Sequence, residues 1–180
     1  MVGGLARDLD LIDALDALPR HPFEGEVWRI TREGRDPLLG SPVAARWDLG
    51  STDVIYTSLA REGALEEIGF HLNRQPVFPT KLRSHIHLLK VRASRTMKFA
   101  NLDDLILFGV EPTEFNLTTY ARTQEIGDAA AFLGFDGMIV PSARWSGMNL
   151  VLFTDQLEPG DISVISSDPV DWEGWRAARR

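Results

Sequence analysis

The chain has 180 residues, 44% of them hydrophobic, with 19 basic against 26 acidic side chains for a net charge of −7, and no cysteine. That length suits one packed domain, the acidic balance argues against a surface built to follow a phosphate backbone, and the lack of thiols excludes disulfide frameworks, thiolate nucleophiles and thiolate metal sites. No apolar run approaches the roughly 20 residues of a membrane span. The amino terminus, Met1-Val2-Gly3-Gly4-Leu5-Ala6-Arg7-Asp8, does not have the basic-then-apolar order of a signal peptide. A cytoplasmic protein without membrane or direct nucleic-acid contacts is expected.

In chain order, Leu11, Leu15 and Leu18 at helical spacing predict a short amphipathic helix over 8–18, stopped by Pro19 and Pro22, inside a lead-in spanning 1–24. Val27 to Thr31 reads as a strand, and Gly34, Pro37, Gly40 and Pro42 mark a long loop up to Asp53. Inside a compact domain such a loop is usually functional. Val54 to Ser58 reads as a strand, followed by a helix over 60–72 with Ala64, Leu65, Ile68 and Leu72 on its apolar side. His85 to Val91 is a second strand, with Ile86 and Leu88 on one face and His85, His87, Leu89 and Val91 on the other.

Asn101 to Val110 and Gln124 to Leu133 read as helices, the second opened by Thr123 as N-cap and closed by Gly134. Gly137 to Val140 and Leu150 to Phe153 are nearly continuous apolar runs, as expected of buried strands. Past Asp155 the tail 156–180 holds Pro159, Gly160 and Pro169, and Trp172 and Trp175 predict a last helical turn packed on the same domain. Strands and helices mix without regular alternation, so the class is α+β.

The chemistry concentrates in Arg46, Tyr56 ten residues later and Glu67 eleven after that, with Pro141-Ser142-Ala143-Arg144 and Asn149 further on. Taken singly, each has an ordinary structural reading. Arg46 would be a loop arginine in a surface ion pair, Tyr56 a core residue with its hydroxyl at the edge, and Ser142 a turn cap. His85 and His87 share a strand face that suits a metal, yet no carboxylate stands at a telling spacing, and two half-buried structural histidines are the expectation. Neither a Gly-x-Gly-x-x-Gly loop nor a Gly-x-Ser-x-Gly elbow occurs. Arg176, Arg179 and Arg180 beside the two tryptophans suit either partner docking or a solvated end.

Together these segments resemble the RES domain family. The similarity runs through Trp28-Arg29-Ile30, Ala45-Arg46-Trp47, Ile55-Tyr56-Thr57-Ser58, Ala64-Leu65-Glu66-Glu67 and Thr123-Gln124. It continues through Gly134-Phe135-Asp136-Gly137-Met138-Ile139-Val140-Pro141-Ser142-Ala143-Arg144 and Asn149 to Phe153, covering roughly residues 25–155. The resemblance implies an ADP-ribosyltransferase-like split β-sheet and the toxin half of a toxin-antitoxin pair. It also implies cleavage of the nicotinamide-ribose bond of NAD by hydrolysis or phosphorolysis, and neutralisation by an Xre-type antitoxin. NAD is then substrate, with inorganic phosphate as a possible co-substrate, and no cofactor or metal is implied.

Carried over by position, Arg46, Tyr56 and Glu67 are the catalytic residues and Ser142, Arg29, Asn149 and Arg144 the substrate-binding ones. Glu66 and Glu67 lie roughly a third of a turn apart on their helix, and the spacing from Tyr56 selects Glu67. An ionised Glu67 would attract the positive ribose left when nicotinamide departs. Arg46 would grip pyrophosphate with paired donors, and Arg29 or Arg144 would hold an attacking phosphate.

Family members usually carry Gly-Gly before the arginine, where this chain has Ala44-Ala45, and an Asn after the aromatic, where it has Asp48. These changes remove backbone freedom and place a negative charge near the expected phosphates. Two other functions share the pocket: an ADP-ribosyltransferase acting on a protein, and a silent nucleotide-binding module.

Overall fold

Each of the short central strands buries both faces, which is why they read as apolar runs. In β4 (Gly137–Pro141) and β5 (Met148–Phe153), Met138, Val140, Val151 and Phe153 face one core cluster while Ile139, Leu150 and Leu152 face another. A computed structural model describes residues 7–41 and 43–179. The amino-terminal segment 1–6, Pro42 of the long loop, and Arg180 lie outside the described residues.

The remaining elements are α1 (Leu9–Asp16), β1 (His21–Arg32), β2 (Val54–Ser58), α2 (Arg61–Asn73), β3 (Ser84–Lys98), α3 (Leu102–Ile106), α4 (Pro112–Phe115), α5 (Ala121–Phe132), β6 (Ile162–Pro169) and α6 (Trp172–Ala177). The sheet runs β1-β2-β5-β4-β3-β6, with a further pairing of β1 and β3. Long β3 pairs antiparallel with β1 and β6, and then its last residues, Thr96 to Lys98, run parallel to Gly137 to Ile139 of β4. Two halves result, β1-β3-β6 and β2-β5-β4, which also meet where Trp28 pairs with Ser58. The core is therefore α+β and split, as expected.

Between the halves lie Val27, Ile55, Leu89, Val91, Leu150 and Leu152. Helices α1 and α5 cover the β2-β5-β4 side around Phe99, Phe135 and Phe153. Helices α2 and α6 cover Ile86 on the other half, with Trp172 and Trp175 edge to face at 5.5 Å. Among the described residues no helix is long and apolar enough to cross a membrane.

The structure corrects several expected boundaries. The helix expected over 101–110 is only the short α3, because the chain turns at Gly109 (φ +85°) and restarts at Pro112. Helix α5 begins at Ala121, so Thr123 sits in its first turn, where its hydroxyl donates to Tyr120 O instead of capping an N–H. The strand expected to stop at Val91 runs on to Lys98, and β1 starts earlier, at His21, because each strand supplies the other's hydrogen-bond partners. The tail contributes an unexpected strand, β6, whose three serines hide the apolar signal. His87, buried in β3, exchanges hydrogen bonds through Nε2 with Thr31 Oγ1 (2.9 Å) and through Nδ1 with Ser167 Oγ (2.7 Å). It joins β1, β3 and β6 as a structural residue.

Candidate active site

A cleft of about 550 Å³ is walled by the end of β1, the long loop behind it, β2 and α2, with Tyr120, Arg144 and Asn149 completing the wall. Glu67 reaches it from the middle of α2. Ser142, just past β4, donates to Glu67 Oε1 at 2.6 Å, and Asn149 Nδ2 at the start of β5 donates to the same oxygen at 2.8 Å. Pairing of Val140 with Asn149 keeps these two donors side by side at the mouth of the β4–β5 hairpin. Glu66, by contrast, binds Arg179 beyond α6, so the two adjacent carboxylates have separate tasks.

Arg46 sits on a tight turn in which Ala45 N donates to Asp48 O at 3.0 Å. Trp47 is buried and anchors the turn. Tyr56 Oη accepts the Trp47 N–H at 3.1 Å, while Gln124 Nε2 donates to Ala45 O (2.9 Å) and Asp48 O (3.2 Å). The phenol, whose pKa burial pushes above its usual range, thus supports the arginine's backbone. Replacing Tyr56 with phenylalanine orphans the Trp47 N–H and is expected to lower stability by about 1–3 kcal/mol. A urea midpoint equal to that of the unmodified protein would show that the hydroxyl does not hold the turn.

The guanidinium of Arg46 donates to Phe115 O (2.7 Å) and Leu117 O (3.2 Å) and stacks near the rings of Tyr120 (4.6 Å) and Phe115 (5.1 Å). Arg144 donates to Asn116 O and to the same Leu117 O (3.2 Å), with its cation 3.5 Å above the centre of the Phe70 ring. Both cations therefore rest on carbonyls left without helical partners at the end of α4. These are neutral acceptors, and an anionic oxygen makes the stronger bond. Burial lowers the pKa of Arg46, and Arg144 adds to that, whereas Tyr120 and Glu67 oppose it.

Arg29 stands on β1 with 8% exposure and donates to Pro37 O at 2.6 Å. Burial pulls its pKa to about 10, with Arg35 adding to the fall, so it stays charged at neutral pH. Arg35, also in the cleft wall, donates to Gly40 O at 2.8 Å. Among the described residues neither arginine has a carboxylate in ion-pair contact.

The hydroxyl of Ser142, expected to bind substrate, is instead turned into Glu67. Asp48 is likewise withdrawn. It is buried, accepts from Gly50 N at 2.6 Å, and burial raises its pKa. Its charge lies in its own turn and not in the cleft wall. Ala44 and Ala45 do line the cleft. Sequence reasoning missed His71, one helical turn after Glu67 and held below its usual pKa by burial, as well as Tyr120. The i, i+4 spacing of Glu67 and His71 was the available signal.

The RES domain model matches residues 26–173. The fold is similar to that of a chain in the crystal structure of the M. tuberculosis MbcT-MbcA toxin-antitoxin complex, with a TM-score of 0.86 and 20% identity over 97% of this chain and 99% of that one. No curated protein matches the chain.

Proposed function

This chain belongs to the RES domain family, and we propose that it is an enzymatic toxin that cleaves the nicotinamide-ribose bond of NAD and is neutralised by an antitoxin. The observation that carries this reading is the position of Glu67, a carboxylate fixed by Ser142 and Asn149 in a cleft whose other charged walls are guanidinia. NAD matches that arrangement, since its pyrophosphate is anionic and its glycosidic bond breaks toward a cationic ribose.

Cleavage sends the bonding electrons to the nicotinamide nitrogen, which leaves neutral, so no general acid is required. The carboxylate of Glu67 stabilises the oxocarbenium-like ribose as its charge develops, an interaction stronger in the transition state than in bound NAD. Arg46 and Arg144 exchange their carbonyl partners for pyrophosphate oxygens. An acceptor then attacks the ribose carbon. Water must lose a proton, for which Glu67 is the carboxylate lining the cleft, whereas phosphate attacks as an anion.

Arg29 and Arg35, close enough to repel each other, add cations to the cleft beyond Arg46 and Arg144, and this favours phosphate as the acceptor, giving phosphorolysis over hydrolysis. The likeness to a chain of a toxin-antitoxin complex supports an antitoxin partner, and its Xre type rests on the family resemblance. A proton magnetic resonance time course of NAD with the purified protein, with and without inorganic phosphate, tests the reading. Free nicotinamide is expected, with phosphate speeding its release. Intact NAD after long incubation sinks the proposal, and label moving from NAD onto a protein would point to ADP-ribosylation.

A further inference from the structure

A hydroxyl has one hydrogen to donate and two lone pairs to accept with. In Ser142 all three are occupied: the hydrogen lies on Glu67 Oε1 at 2.6 Å, and the oxygen accepts from Arg144 N and Trp145 N, both at 3.0 Å. Nothing remains for a substrate. Asn149, which lines the cleft, directs one of its two amide hydrogens to the same carboxylate. Its Nδ2 donates to Glu67 Oε1 at 2.8 Å, and its Oδ1 is sealed from solvent without a partner. A ligand in the cleft therefore cannot reach that oxygen as the cleft stands.

The two donors converge on one oxygen of the carboxylate. Among the described residues Glu67 Oε2 has no donor, and Glu67 lines the cleft. The carboxylate torsion of a glutamate is soft, so a free Glu67 would present either oxygen at many angles. Donors from both ends of the β4–β5 hairpin remove that freedom. The hairpin loop is itself closed by Ser142 N donating to Gly147 O at 3.0 Å, which gives the serine a rigid mount.

We infer that Ser142 and Asn149 are positioning residues that occupy Oε1 of Glu67 and aim Oε2 at the reacting ribose, and that the Ser142 hydroxyl does not bind substrate. The inference rests on the proposed reaction for its kinetic test, and a structural measurement tests it separately. In the kinetic test, Ser142→Ala and Asn149→Ala each lower kcat for nicotinamide release roughly tenfold to a hundredfold, the size expected when a reacting group is misaligned, while KM for NAD stays within about twofold. Ser142→Thr keeps the hydroxyl and restores most of the rate, which a mere packing role would not predict.

In a Glu67→Ala background neither alanine substitution lowers the residual rate further, because there is no carboxylate left to aim. A raised KM at unchanged kcat, or full additivity with Glu67→Ala, overturns the inference. The structural test is a crystal structure of the Ser142→Ala, Asn149→Ala double variant. A Glu67 carboxylate turned away from its original plane supports the inference, and an unmoved one overturns it. If the unmodified protein released no nicotinamide, the proposed reaction would fall and this second measurement would still decide the positioning role.

Discussion

Replacing Glu67 with glutamine lowers nicotinamide release by about a thousandfold, the scale of losing a preorganised charge at a transition state, while NAD affinity stays within about threefold. Glutamine keeps the length of the side chain, and its carbonyl oxygen can still accept from Ser142 and Asn149 in place of Oε1. The amide nitrogen then stands where Oε2 stood, neutral and bearing hydrogens toward a developing cation. Binding and geometry are preserved and only the charge is lost, so the effect falls on kcat. Glu66→Gln is the matched control, since Glu66, roughly a third of a turn away on α2, pairs with Arg179. Its release rate is expected within about twofold of the unmodified protein, because a partly exposed ion pair contributes little. Calorimetric NAD binding together with nicotinamide release measures both quantities. Undiminished turnover in Glu67→Gln would remove the carboxylate from the mechanism.

The elements that carry this site were legible in the residue patterns, whereas the grouping of its members came from their resemblance to the RES family and not from the patterns themselves. Tyr56 lies in a five-residue strand and Glu67 in a helix whose boundaries came within a residue of those expected. The both-face burial of β4 and β5 was equally plain in their apolar runs. What stayed hidden was which polar group meets which. Nothing local says that the Ser142 hydroxyl ends on Glu67, that Tyr56 supports the Trp47 N–H, or that Arg46 and Arg144 share Leu117 O. These contacts join separate elements and loops, from 9 residues apart for Trp47 and Tyr56 to 75 for Glu67 and Ser142, and hydrogen-bond partners leave no periodic trace. Strand β6 escaped for a related reason. It is an exposed edge whose order comes from β3 and not from its own serine-rich composition.

Gly127→Ala is the substitution at which these hidden contacts have the largest structural consequence. Helix α5 passes so close to the Arg46 turn that a Cβ at Gly127 would lie 1.9 Å from Trp47 O and 2.7 Å from its carbonyl carbon. Backbone atoms cannot swing aside as a side chain would. The turn cannot retreat either, since Tyr56 holds the Trp47 N–H, Gln124 holds the carbonyls of Ala45 and Asp48, and the Trp47 side chain is buried. The helix and the turn must separate, which strains or breaks the Gln124 bonds and moves the Arg46 guanidinium away from its present place. Overpacking of this kind costs about 2–3 kcal/mol, of which alanine's better helix propensity offsets about 1 kcal/mol. The net loss of about 1–2 kcal/mol corresponds to a fall in Tm of roughly 2–8 °C for a chain of this size. The kinetic consequence is expected on the arginine's side of the cleft, as a rise in KM for NAD of about tenfold with a smaller change in kcat. Glu67→Gln shows the opposite split, so the two variants separate the holding of the anion from the stabilisation of the ribose. A Gly127→Ala protein that melts at the original temperature and keeps its KM would mean that the turn yields freely, and the support given by Tyr56 and Gln124 would not be what places Arg46.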